Sequence, residues 1–256
     1  MVGDERGDAA SSARRQLTLA LRPPQDLTAA RFVPAVSNAA ARTWLAQMNW
    51  PDRRLWLWGP EGSGKTHLLH VWADRMAAPV VDARHLDSET LLRDDPACAA
   101  LAIDSLESCR DERALLHLLN RAREKRVRLL LAARVPPARL DVALPDLASR
   151  LRAIAAVAIA RPDDRLRATL LLRLLAERQL VVPQPVVDWL WQHLPRTGSA
   201  ILQAVQRLDE AALTHGRPVT RAFAQLVLAD LLAPDGSAYD DDDDFMIDEA
   251  ATGPVV

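Results

Sequence analysis

The run Trp58-Gly59-Pro60-Glu61-Gly62-Ser63-Gly64-Lys65-Thr66-His67 carries the spacing G-x-x-x-x-G-K-[ST]. Glycines at these places let backbone N–H groups curl round phosphate oxygens, and a helix starting at the last glycine adds its positive dipole. Lys65 would reach the β- and γ-phosphates, and the Thr66 hydroxyl would hold Mg²⁺. Gly59, Pro60, Glu61, Gly62, Ser63, Gly64, Lys65, Thr66 and His67 are therefore the candidate grip for ADP or ATP. Apart from Lys65 and Lys125 the basic residues are all arginine, so one of two lysines stands where this loop needs one. Such a loop also needs an acid at the end of a neighbouring strand to complete the metal shell. Asp104, closing Leu101-Ala102-Ile103, fits that role beside Thr66. The next residue is Ser105, and a hydroxyl is a poor base at neutral pH without help. Glu107, two places later, reaches an attacking water only if the backbone bends. Weak intrinsic hydrolysis is the expectation.

The elements that must position these residues alternate. Apolar runs at 55–58, 79–82, 99–103, 127–133 and 154–159 read as buried strands. Amphipathic segments after Ser37-Asn38, after Thr66 and over 112–125 read as helices, with Trp44, Leu45 and Met48 on one face of the first. Strands alternating with helices predict an α/β fold, a P-loop domain with a parallel sheet flanked by helices over residues 25–161. From Pro162 the pattern is helical only. Asp163-Asp164 opens a helix to about 179, others span 185–193 and 199–214, and a fourth runs from Pro218 to near Leu232. These predict a small all-α lid domain over 162–233.

The chain has 256 residues, 49% hydrophobic and 26% charged, enough for one or two domains with a real core. Its net charge is -2, yet residues 235–256 contain eight acids and no Lys or Arg, which leaves 32 basic against 26 acidic residues elsewhere. That body is mildly basic, too weakly so to predict nucleic-acid binding alone. The segments 1–24 and 234–256 read as flexible, the latter as an acidic tail. Cys98 and Cys109 lack partners at metal spacing and read as reduced thiols, and no signal-like or membrane-spanning apolar stretch is present, so a cytoplasmic protein without membrane contact is expected.

Within the flexible start, Gln16-Leu17-Thr18-Leu19-Ala20-Leu21 alternates apolar residues before Pro23-Pro24. It reads either as an edge strand or as an extended peptide docking its leucines into a partner.

The order of these parts resembles a family. The Gly64-Lys65-Thr66-His67-Leu68-Leu69-His70 loop, the Ile103-Asp104 strand end and Pro136-Pro137 look like the DnaA-like AAA+ family. So do Ser149-Arg150-Leu151 and Arg161-Pro162-Asp163-Asp164-Arg165-Leu166-Arg167. The resemblance spans roughly residues 25 to 232. A DnaA chain would continue into a helix-turn-helix domain, whereas this one is expected to stop after its lid, as the Hda-type members do. The Hda type begins with a clamp-binding peptide of the form matched by Gln16, Leu17, Leu19 and Leu21, which favours docking over the edge strand.

The resemblance implies regulatory inactivation of the initiator DnaA. The protein would sit on the DNA sliding clamp (the β subunit of DNA polymerase III), meet DNA indirectly through it, and present Arg150 as an arginine finger to ATP held by DnaA. The alternative is an autonomous AAA+ ATPase acting like a helicase loader. Homo-oligomerisation is compatible with either. The lid arginine expected at the phosphates is best matched by Arg196, although direct alignment of the lid helix puts Ser199 there. The segment expected to sense the γ-phosphate is Ala132-Ala133, which is apolar.

Other features read as structural. His67 and His70 lack a third metal ligand, and the tryptophans fall in predicted core elements. The basic run 121–128 reads as a solvated helix end or a DNA contact, and Asp240 to Asp244 as a solubilising tail or a nucleic-acid mimic.

Overall fold

A computed structural model describes residues 27–47, 49–86 and 99–232. The docking peptide 16–21, Met48, Cys98 and the acidic tail lie outside the described residues.

Five strands form one parallel sheet: β1 (Arg54–Trp58), β2 (Val80–Asp82), β3 (Ala100–Asp104), β4 (Arg128–Ala133) and β5 (Ala155–Ala158). Their order is β2-β3-β4-β1-β5, with β1 between β4 and β5 in the registers Trp58↔Ala133 and Trp58↔Ala158. The two-residue period of the strands divides their side chains between two cores. Trp56, Leu101, Ile103, Leu129 and Leu131 face α3 (Glu112–Glu124) and α4 (Pro145–Arg152). Leu55, Leu57, Ala102, Leu130 and Ala132 face α1 (Ala39–Ala46) and α2 (Lys65–Met76). Every strand and helix expected in this part of the chain is present, most within two residues of its expected ends.

The lid comprises α5 (Asp164–Glu177), α6 (Gln184–His193), α7 (Gly198–His215) and α8 (Arg221–Val227) around a separate apolar cluster that includes Trp189, Leu190, Val205 and Leu208. Three of these helices carry an N-cap oxygen in place: Asp163 accepts from Leu166 N–H at 2.7 Å, Thr197 from Ala200 N–H and Thr220 from Phe223 N–H.

One cap and one helix differ from the sequence reading. Asn38 occupies the N-cap position of α1, but its side chain makes no cap bond. It turns back instead, accepting from Ala35 N–H at 3.0 Å and donating to the Val33 carbonyl at 3.1 Å, which pins the preceding segment. The last lid helix ends at Val227 rather than near Leu232, and it starts at Arg221 rather than Pro218 because the chain stays out of helix long enough to bury Val219 in the lid core and to let Thr220 cap. Cys109 is half-buried, and desolvation raises its thiol pKa, as befits an inert thiol.

The central strands hold the site, so their packing sets its stability. Leu131 has no solvent exposure. Leu131→Ala should cost about 2–5 kcal/mol in urea unfolding through lost contacts and a residual cavity. A loss under about 1 kcal/mol would mean that this core face does not bear on stability as described.

Candidate functional site

The candidate site lies beyond the carboxyl ends of the strands, where open α/β sheets bind ligands. Its floor is the loop between β1 and α2. Gly59, Gly62 and Gly64 all have positive φ, 157°, 73° and 96°. Gly59 has a second reason to be glycine, since an added Cβ would fall 2.2 Å from the Ile159 carbonyl oxygen just after β5. Gly62 touches the lid: its Cβ would meet Ser199 Oγ at 2.9 Å and Gly198 N at 3.1 Å. No side chain caps α2, so the amide groups opening this helix are left for a ligand rather than an internal cap.

Lys65 is 9% exposed, and its ammonium donates to the Gly59 and Pro60 carbonyls at 2.7 Å each. Burial lowers its pKa, while Glu107, Asp104 and Glu61 push it back up. A lysine so placed is an ammonium poorly solvated by water and ready to exchange carbonyl partners for anionic oxygen. Ser63 Oγ is buried without a hydrogen-bond partner, another polar atom that the fold leaves unmatched inside the loop. The Thr66 hydroxyl donates to Asp104 Oδ2 at 2.7 Å, and Asp104 Oδ1 accepts from Ser105 N–H at 2.8 Å. The structure thus brings together the two predicted metal-site residues from elements 38 positions apart. No group of three or more His, Cys, Asp or Glu side chains able to hold a metal occurs among the described residues. One hydroxyl and one carboxylate suit Mg²⁺ shared with phosphate and water.

The bend needed for Glu107 is also present. Ser105 adopts φ 57°, ψ 45°, a left-handed conformation costly for a non-glycine residue, and a 3₁₀ turn over Leu106–Ser108 follows. Leu106 is buried in the core, and Glu107 accepts from Arg134 through both carboxylate oxygens, from its Nε and its backbone N–H, at 3.2 Å each. Arg134 also pairs with Glu61 of the loop at 3.1 Å. Sequence reasoning stopped at Ala132-Ala133, which end β4 as expected, and missed this charged residue directly after them. The sequence shows only an arginine directly after a strand; that this strand pairs with the loop's own strand is decided by the fold.

At the lid, the backbone of Gly198 and Ser199 approaches the loop, in line with the direct alignment; Arg196 is exposed in the bend leading to α7. The segment before α1 also contributes. His67 bonds the Thr28 carbonyl at 2.8 Å and meets the Phe32 ring edge-on at 5.2 Å. Arg173 of α5 donates to the Ala30 carbonyl at 2.7 Å, and Arg31 pairs with Glu177, so this segment ties the loop helix to the lid. Arg150 lies elsewhere. It is on the last turn of α4, paired with Asp146 at 3.1 Å, and α4 leads into β5, whose first residue Ala155 pairs with Leu55 near the start of β1, the end opposite the loop. It therefore stands away from its own chain's glycine-rich loop.

Residues 163–228 match the family model described as the lid domain of Hda. Domain III of the replication initiation protein DnaA from Thermotoga maritima is similar in fold, with a TM-score of 0.68 at 19% identity, over 82% of this chain and 99% of that one. DnaA from Aquifex aeolicus, solved with AMPPCP, gives 0.57 at 18% identity over 75% and 68%. The AAA domain of FIGL-1, solved with ADP, gives 0.54 at 19% over 78% and 85%. At these identities the solved structures show the fold alone, and the family match makes residues 163–228 similar to the lid domain of Hda. No helix among the described residues is long and apolar enough to cross a membrane.

Lys65→Ala should lower affinity for a fluorescent adenine nucleotide roughly a hundredfold, about 2.7 kcal/mol, because a charge-assisted contact to phosphate is lost. Equal binding by the variant in a titration would remove this loop as the grip.

Proposed function

We propose that this chain, a Hda/DnaA-like AAA+ protein, is a nucleotide-binding regulator that inactivates the initiator DnaA by stimulating hydrolysis of DnaA-bound ATP. The lid match over 163–228 is the observation that carries the reading, because it selects the regulator type within a fold shared by initiators and other AAA+ proteins. In its own pocket the loop amides and Lys65 bind the phosphates of ADP or ATP, and Thr66 and Asp104 hold Mg²⁺. The metal supplies charge neutralisation between phosphate oxygens. Gly198 and Ser199 against Gly62 let the lid respond to what the loop holds.

The chemistry on DnaA is assigned to Arg150. Its place away from its own loop suits action on a neighbour's nucleotide. The Arg150–Asp146 pair is an i,i+4 contact with Asp146 61% exposed, the kind worth about 0.3–0.5 kcal/mol, so a triphosphate can take the guanidinium from it. There it would stabilise charge developing on the γ-phosphoryl oxygens. The tether is assigned to Gln16, Leu17, Leu19 and Leu21, whose alternating leucines fit the pocket-filling mode of extended peptides, here on the DNA sliding clamp. A second reading, an autonomous ATPase of the helicase-loader kind, draws support from Glu107 standing beside the loop, joined to its Glu61 through Arg134. It requires Lys65-dependent turnover by the protein alone.

The deciding assay follows ATP loss from DnaA with clamp-loaded DNA present or omitted. Arg150→Ala should retain clamp and nucleotide binding but lower stimulation roughly a thousandfold; unchanged stimulation removes Arg150 from the mechanism. In a pull-down with clamp, Gln16→Ala/Leu19→Ala should lose most retention, and equal retention would refute the tether.

A further inference from the structure

Arg134 belongs neither to the phosphate grip nor to the reach of Arg150. It follows the last residue of β4 and lies between the loop and the turn after β3. Its Nε and backbone N–H donate to the two oxygens of Glu107, and its Nη1 pairs with Glu61 Oε2. Glu61 rides on the loop after β1 and Glu107 on the turn after β3, so one guanidinium ties the loop to that turn. Glu107 thus stands beside the loop, three residues beyond the Asp104 that holds Thr66, and its charge raises the pKa of the Lys65 ammonium that burial lowers. The other acid there, Asp104, already has one oxygen on Thr66 and one on Ser105 N–H.

We infer that Arg134 is a positioning residue that restrains Glu107, and thereby acts as a brake on hydrolysis of ATP bound in this chain's own pocket. The inference rests on the reading of that pocket as a nucleotide site. In the reaction, the oxygen of water bonds to the γ-phosphorus while the bond from that phosphorus to the β–γ bridging oxygen breaks. The water's proton passes to a carboxylate, and ADP and inorganic phosphate leave. Glu107 is the carboxylate able to take that proton, but both its oxygens are turned to Arg134. The sequence leads one to expect weak hydrolysis because the Ser105 hydroxyl is a poor base. The geometry adds a second reason to expect it, a carboxylate that is present and held. Arg134 is 57% exposed, and contacts of this exposure are individually weak, so the brake amounts to about tenfold rather than several orders.

Single-turnover ATP hydrolysis by the protein alone tests this, with binding of fluorescent ADP and ATP measured on the same samples. Arg134→Ala should hydrolyse about tenfold faster with ADP affinity within about threefold of wild type. Arg134→Lys, whose single ammonium cannot span both carboxylates, should fall between. Arg134→Ala/Glu107→Gln should return to the wild-type rate or below. A loosened fold would not give a gain that Glu107→Gln cancels. An Arg134→Ala rate at or below wild type, or a double variant that keeps the gain, overturns the brake while leaving the nucleotide site standing. A wild-type protein that binds neither nucleotide overturns both.

Discussion

The architecture depends on a close backbone approach at the phosphate loop. At Gly59 the loop passes so near the exit of β5 that no side chain fits against the Ile159 carbonyl. At Gly62 it meets the start of α7, where an added Cβ would lie 2.9 Å from Ser199 Oγ and 3.0 Å from Ser199 N, and Gly198 faces it with the reverse restriction, since its own Cβ would lie 2.8 Å from Gly62 O. Sheet, loop and lid thus approach one another closely at glycines, largely through backbone atoms. Backbone atoms give little room to absorb a shift, so the loop's shape and the lid's position are coupled.

Charge is arranged round that junction. Lys65 is buried against carbonyl oxygens with carboxylates at a distance, an arrangement that desolvation makes costly and that anionic oxygen would relieve. Because its pKa is lowered on folding, the unfolded chain binds the proton more tightly between the lowered value and the ordinary lysine range. The cost of burying this cation is therefore present at neutral pH and relieved as pH rises through that interval. A lysine whose proton affinity is lowered by burial beside carboxylates commonly marks a functional site. The exposed pairs around it, Arg134 with Glu61 and Glu107 and Arg150 with Asp146, contribute little to stability and are easily exchanged.

Much of the fold was legible because its signals are local. The runs that became β1, β3 and β4 are too apolar for anything but a doubly covered sheet, and Asp163 announces its helix by capping. The loop spacing also predicted that Thr66 and an acid after β3 would meet, and they do. Less legible were features made by long-range contact. Asn38 has the right type and place for a cap, yet its side chain is drawn to the segment before it. The role of the segment over Thr28 to Phe32, bonded to His67 on one side and Arg173 on the other, has no periodic signature at all.

By itself the sequence determined the strand and helix pattern, the glycine-rich loop and the pairing of that loop with Asp104, because residue type and short spacing fix backbone conformation and burial. Tertiary structure alone decided what stands around the loop. Parallel strand order puts Arg134 beside Glu61 and Glu107, a left-handed Ser105 turns Glu107 towards it, and the lid sets Gly198 on Gly62. It also put Arg150 at the end of the fold away from its own loop, where α4 leads into the start of β5 beside the start of β1. These placements depend on which strand lies next to which, and no spacing along the chain encodes that.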